Sequence, residues 1–172
     1  KLTFDGNKLV IENHKGRIDK TEYLLNGEAD HVLSYFFKEG EKMLVEAKLE
    51  SKKLDLNTFI SDEKSSAEND RAMEFRLPER VLAKLDLDCK TAIYENFHAK
   101  NLKGTVSMSH AGVVLDNLAL NASEGKMVLN GRLFEENKKE ISIDGNVVME
   151  GINIKKLMKD LNNFNQSYLT DE

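Results

Sequence analysis

The stretch Leu102–Leu133, LKGTVSMSHAGVVLDNLALNASEGKMVLNGRL, decides the fold. It reads as three strands, Thr105–Ser109, Val113–Ala122 and Lys126–Leu133, joined by turns at His110-Ala111-Gly112 and Ser123-Glu124-Gly125. Val106 and Met108 alternate with Thr105, Ser107 and Ser109, and Leu118, Leu120 and Ala122 alternate with Asn117 and Asn121. Successive side chains of a strand point to opposite faces, so the pattern specifies an antiparallel sheet that is apolar on one side and polar on the other. The glycines fall where the chain must reverse and a positive φ is needed.

The same pattern occurs earlier in the chain. A shift of 104 positions sets Val10, Ile11, Glu12 and Asn13 on Val114, Leu115, Asp116 and Asn117. Without a gap it also sets Leu25, Asn26 and Gly27 on Leu129, Asn130 and Gly131. Further on the shift falls to 98, with Met43, Val45, Ala47 and Leu49 on Ile141, Ile143, Gly145 and Val147. The difference is absorbed by a longer hairpin in the first copy, expected at His31–Glu41. Two copies of one β-unit are read as two turns of a longer repetitive β-structure.

From these patterns the expected fold is mainly β, a curved antiparallel repetitive sheet with one apolar face and short helices at the ends of the two repeat units. Residues 1–60 form the first unit, 61–76 a linker and 77–172 the second unit. In the linker, Ser61–Asp70 is almost without apolar residues and is expected to be mobile. Lys53–Ile60 is expected to be helical, with Asp55 or Asn57 as its cap. Leu77-Pro78-Glu79-Arg80-Val81-Leu82 reads as a turn or a single helical turn, with Lys84–Lys90 and Asn96–Leu102 as the strands after it. Glu140–Met149 forms a last hairpin. Asn153 is a good N-cap for a closing helix with Ile154, Leu157, Met158 and Leu161 on one stripe.

Composition narrows the functional classes. The 172 residues are 40% hydrophobic, enough for a core and against disorder. The net charge of −5, with both signs interspersed, leaves no basic stripe for phosphates, which argues against nucleic acid as a partner. Cys89 continues the apolar phase of Leu85 and Leu87, as a buried, inert thiol does. The chain opens at Lys1 with no signal peptide and no apolar run long enough to span a bilayer, and is expected to be a piece of a larger protein. His14, His31, His98 and His110 are scattered, with no helical His pair, no Cys pair and no HExxH spacing, so no metal site is expected. No nucleophile motif, glycine-rich phosphate loop or Cys/His dyad is present, and neither catalysis nor a cofactor is expected.

One resemblance gives these patterns a context. In order, Leu77-Pro78, Leu85-Asp86-Leu87, Asn101-Leu102-Lys103-Gly104, Gly125-Lys126, Leu129-Asn130-Gly131, Asp144-Gly145, Gly151-Ile152-Asn153-Ile154 and Leu157-Met158 resemble the carboxy-terminal region of the AsmA family. The chain departs from it in carrying Asn153 where the family often has Asp, which leaves the helix cap intact. The resemblance implies an envelope protein of Gram-negative bacteria that acts in outer-membrane biogenesis. Its β-rich body would lie in the periplasm, anchored to the inner membrane by a segment outside this chain. It also implies phospholipid or another acyl-chain lipid as the partner, conducted along an apolar β-groove. Val106, Met108, Leu118, Leu120, Leu129 and Ile143 are then the candidate lipid-binding face. The alternative is a structural β-sandwich module that scaffolds other envelope proteins, with the same residues closed into a core.

Overall fold

The computed structural model of the chain describes residues 1–58, 78–137 and 140–162. In chain order the elements are β1 (Leu2–Asp5), β2 (Lys8–Ile18), β3 (Thr21–Asp30), α1 (Val32–Phe37), β4 (Met43–Ser51) and β5 (Leu54–Asp55). A 3-10 turn at Leu56–Thr58 follows, then β6 (Val81–Tyr94), β7 (Phe97–Ser109), β8 (Gly112–Ala122), β9 (Gly125–Asn137), β10 (Glu140–Glu150) and α2 (Ile154–Asp160). All ten strands belong to one curved, open and mostly antiparallel sheet, in the order β1-β2-β3-β4-β6-β7-β8-β9-β10, with β5 beside β6 beyond the end of β4. The mainly β character expected from the sequence is what the chain adopts.

One joint in this sheet departs from the expected antiparallel pattern. β4 and β6 run parallel through nine register pairs, from Met43 opposite Val81 to Ser51 opposite Cys89. β5 extends the ladder, with Leu54 opposite Ala92. A parallel pair needs a crossover rather than a tight turn, and residues 52–80 supply it. The expected linker at 61–76, the end of the expected Lys53–Ile60 helix and Leu77 lie outside the described residues. The described part of that helix is the short strand β5 followed by a single 3-10 turn, whose Asn57 N–H donates to Asp55 Oδ1 at 3.2 Å.

Other boundaries also moved. The segment expected as the longer hairpin contains the helix α1. Asn7 holds its start, with Oδ1 accepting the Ser34 N–H at 3.0 Å and Nδ2 donating to Ser34 Oγ at 2.8 Å. Arg80 holds its end: Nη1 donates to the carbonyls of Tyr35, Lys38 and Glu41 at 3.1, 3.1 and 3.2 Å. The guanidinium also lies 4.6 Å from the Tyr35 ring centre. The strands expected at Asn96–Leu102 and Thr105–Ser109 are one strand, β7. Its register against β8 shifts around Lys103, where Gly104 takes φ +146°. A Cβ there would lie 2.6 Å from the Asn117 carbonyl oxygen, so the strands close up only over glycine. The β8–β9 turn places its positive φ on Ser123 (45°) and Glu124 (73°) rather than on Gly125. Two consecutive positive φ values give the hairpin turn that matches strand twist.

Two bulges change the parity of β2 and β8 in mid-strand. In β8 the apolar residues change parity, from Val113 and Leu115 to Leu118 and Leu120. The register against β9 shifts between Leu115 and Leu118, where Asn117 adopts φ 48°. Its N–H donates to Asn130 Oδ1 at 2.8 Å. In β2 the register shifts between Ile11 and His14, Asn13 adopts φ 49°, and its N–H donates to Asn26 Oδ1 at 2.7 Å. Asn13 and Asn26 stand 104 positions before Asn117 and Asn130, the displacement at which the sequence matches itself. Asparagine tolerates the left-handed conformation, and its neighbour's carboxamide replaces the ladder bond that the bulge interrupts.

Removing either carboxamide leaves an exposed N–H to water, so Asn26→Ala and Asn130→Ala should each cost about 1 kcal/mol in chemical denaturation. The sites are far apart, and the double variant should show the sum within about 0.5 kcal/mol. Two null effects would mean that the bulges are held without these bonds.

Candidate functional site

Residues directly opposite one another in a ladder project from the same side of the sheet. Across the joint, Val45, Ala47 and Leu49 stand opposite Ala83, Leu85 and Leu87. The same side continues through Val106 and Met108 in β7, Val113 and Leu115 in β8, Leu133 in β9 and Ile143 in β10. Its other half, past the β8 bulge, carries Leu118 and Leu120 opposite Leu129 and Met127. The register thus gathers aliphatic side chains on one side.

The opposite side carries the charge. There Lys8 Nζ meets Glu28 Oε1 at 2.8 Å and Asp30 Oδ1 at 3.4 Å. Lys48 meets Glu50 at 2.6 Å, Lys103 meets Asp88 at 3.3 Å, and Arg132 meets Asp144 at 3.0 Å. The Glu28 hydrogen bond raises the Lys8 pKa, and the Glu50 hydrogen bond raises that of Lys48. These pairs are solvent-exposed and contribute little to stability.

The apolar side is closed at one end of the strands. Leu54, Cys89, Ala92, Ala99, Leu102, Leu120, Ala122, Met127 and Leu157 form one buried cluster, with Leu49, Leu87, Leu118, Leu129, Ile152 and Leu161 packed against it. Helix α2 covers this end through Leu157, and Asn153 fixes the helix start by accepting the Lys156 N–H at 3.1 Å. Beneath the first half, the Thr21 hydroxyl accepts the Asp55 N–H at 2.9 Å and Ser51 Oγ donates to the Glu22 carbonyl at 2.7 Å. Buried polar groups there are satisfied as the low dielectric requires.

At the other end of the same strands lies a cleft of about 400 Å³, within the range of small-ligand sites. Segments of β4, β6, β7, β8 and β9 line it, with Val45, Ala83, Met108, Val113 and Leu133 from the apolar positions and Glu46, Lys84, Val114 and Arg132 among those from the alternate positions. The six sequence-derived candidates therefore separate. Met108 lines the cleft, and Val106 is the next residue on the same side of β7, toward the core. Leu120 is 8% exposed in the closed core, and the half-buried Leu118 and Leu129 pack against that core rather than line the cleft. Ile143 is 76% exposed on the outermost strand. The contributions of Val45 and Ala83 were missed. Both sit in apolar alternations visible in the sequence, but only the parallel joint brings those alternations side by side.

Among the described residues no three His, Cys, Asp or Glu side chains stand together as a metal group, and no helix is long and apolar enough to cross a membrane. Comparison with protein-family models, curated proteins and solved structures returned no match to this chain.

Cys89 is fully buried, and burial pushes its thiol up to about 11. The folded chain then holds the thiol proton where the unfolded chain, near its ordinary value of 9.0, has lost it. The resulting contribution, on the order of 2 kcal/mol, is complete below pH 9 and is lost as pH rises toward 11. Denaturation midpoints should fall over that window more steeply for the native chain than for Cys89→Ala. Thiol reagents should label Cys89 only at the rate of unfolding, and fast labelling of the folded chain would contradict the burial.

Proposed function

We propose that this chain is a non-catalytic, lipid-binding segment of an AsmA-like envelope protein, and that it serves outer-membrane biogenesis by holding or conducting an acyl chain along its apolar side. One observation carries the reading. The strands whose apolar side is closed by α2 at one end border a cleft at the other, whose lining includes Met108, Val113 and Leu133 together with Leu44, Leu82 and Val114 from the alternate positions. An acyl chain there would gain ~0.8 kcal/mol per buried methylene. The ordered motifs from Leu77-Pro78 to Leu157-Met158 supply the envelope context: a periplasmic body, anchored in the inner membrane through another segment. The scaffold alternative draws on a different feature, the outer edge of β10, where no strand pairs among the described residues.

Lipid extracted from the gently purified chain, identified by mass spectrometry, tests the reading together with uptake of a fluorescent phospholipid from phosphatidylethanolamine–phosphatidylglycerol vesicles. Met108 is half-buried at the cleft, so Met108→Arg should reduce uptake at least tenfold while the melting temperature falls by no more than about 3 °C. A parent chain that carries and takes up no lipid would refute the groove. So would a collapsed melting temperature, since a charge in a closed core destabilises by several kcal/mol.

A further inference from the structure

We infer that the outer edge of β10 is a docking edge for a parallel β-strand of the β6 type, supplied by another polypeptide segment of the same repeat kind. The molecule contains the occupied version of this edge. Under the shift of 98 positions, Val45, Leu49 and Ser51 of β4 correspond to Ile143, Val147 and Met149 of β10. The two strands hold matching places in their sheets. β4 follows β3 and pairs with it antiparallel, with Gly27 opposite Ala47, and β10 pairs in the same way with β9, with Gly131 opposite Gly145.

They differ in what lies on the far side. β4 has β6 there, Val45 and Leu49 are half-buried, and Ser51 is 6% exposed. On β10 no strand pairs with the outer edge among the described residues, and Ile143, Val147 and Met149 are 76%, 47% and 44% exposed. Val148 on the opposite side is 61% exposed as well.

The internal pair also specifies the chemistry of a strand that would dock there. In β4–β6, aliphatic residues meet on one side, and Glu46 stands opposite Lys84 on the other. Asp144 takes the Glu46 place in β10, so a strand in the same register would set a lysine against Asp144 and aliphatic side chains against Ile143 and Val147. A parallel approach follows from the β4–β6 direction, with main-chain bonds supplying affinity and alternate side chains the specificity. β1 is a poorer template, since it offers four residues against eleven in β10.

The probe is a synthetic peptide of residues 79–94 carrying Cys89→Ser, added to the intact chain and compared with a scrambled peptide in which the alternation is lost. Saturable one-to-one binding is expected, with slowed hydrogen exchange at the β10 amides. Ile143→Lys and Val147→Lys lie at exposed positions and should each weaken binding at least tenfold with an unchanged melting temperature. The inference is overturned if the folded chain binds neither peptide or binds both equally. It is equally overturned if protection appears at β1 or β4 and not at β10, or if the two lysine variants bind as the parent does.

Discussion

A slip of one residue between β4 and β6 would turn every apolar side chain of one half of the sheet away from those of the other. The nine-pair parallel ladder prevents that, because Val45, Ala47 and Leu49 meet Ala83, Leu85 and Leu87, while Glu46 meets Lys84 on the reverse. Each other joint is a hairpin or neighbour pair whose register its own turn helps to set. This joint has no turn, and its register rests on the side-chain pattern and on Arg80, which ties the start of β6 to α1. The continuity of the apolar side from β4 to β9, and with it the cleft and the core, depends on that match.

Not every long strand of the sheet is regular: β6 and β7 pair in one register along their length, whereas β2 and β8 each carry a bulge. The bulges at Asn13 and Asn117 change the parity in the middle of β2 and β8. Beyond the β8 bulge, Leu118 and Leu120 return to the apolar side and enter the closed core, whereas Val113, before it, borders the open cleft. The bulge therefore marks the boundary between the part of the sheet that stabilises the fold and the part that offers a surface.

Strand positions in Leu102–Leu133 were legible because alternation reports burial directly, and both turns fell where expected. The closing helix was legible from Asn153 and the Leu157–Leu161 spacing. Helix α1 was not: Val32–Phe37 is an apolar and aromatic run without helical periodicity, and it is held by Asn7 and Arg80, which are distant in sequence. The parallel joint left no local mark, since the alternation of β4 and β6 suits either direction of pairing. Of the six candidate site residues, Met108 was placed at the cleft because its strand runs into that end. Leu118, Leu120 and Leu129 lie at the end that α2 covers, a placement the sequence did not show because buried core and open groove share one residue alphabet.

Amide hydrogen exchange resolved along β4 and β6 tests the joint most directly. If the parallel ladder unites the two halves in one sheet, the facing amides of Met43–Ser51 and Val81–Cys89 exchange as slowly as those of the β7–β8 pair, through unfolding of the whole sheet. Fast exchange along β4 and β6, beside slow exchange in β7 and β8, would mean that the halves are not joined there, and the continuous apolar side would fall with the joint.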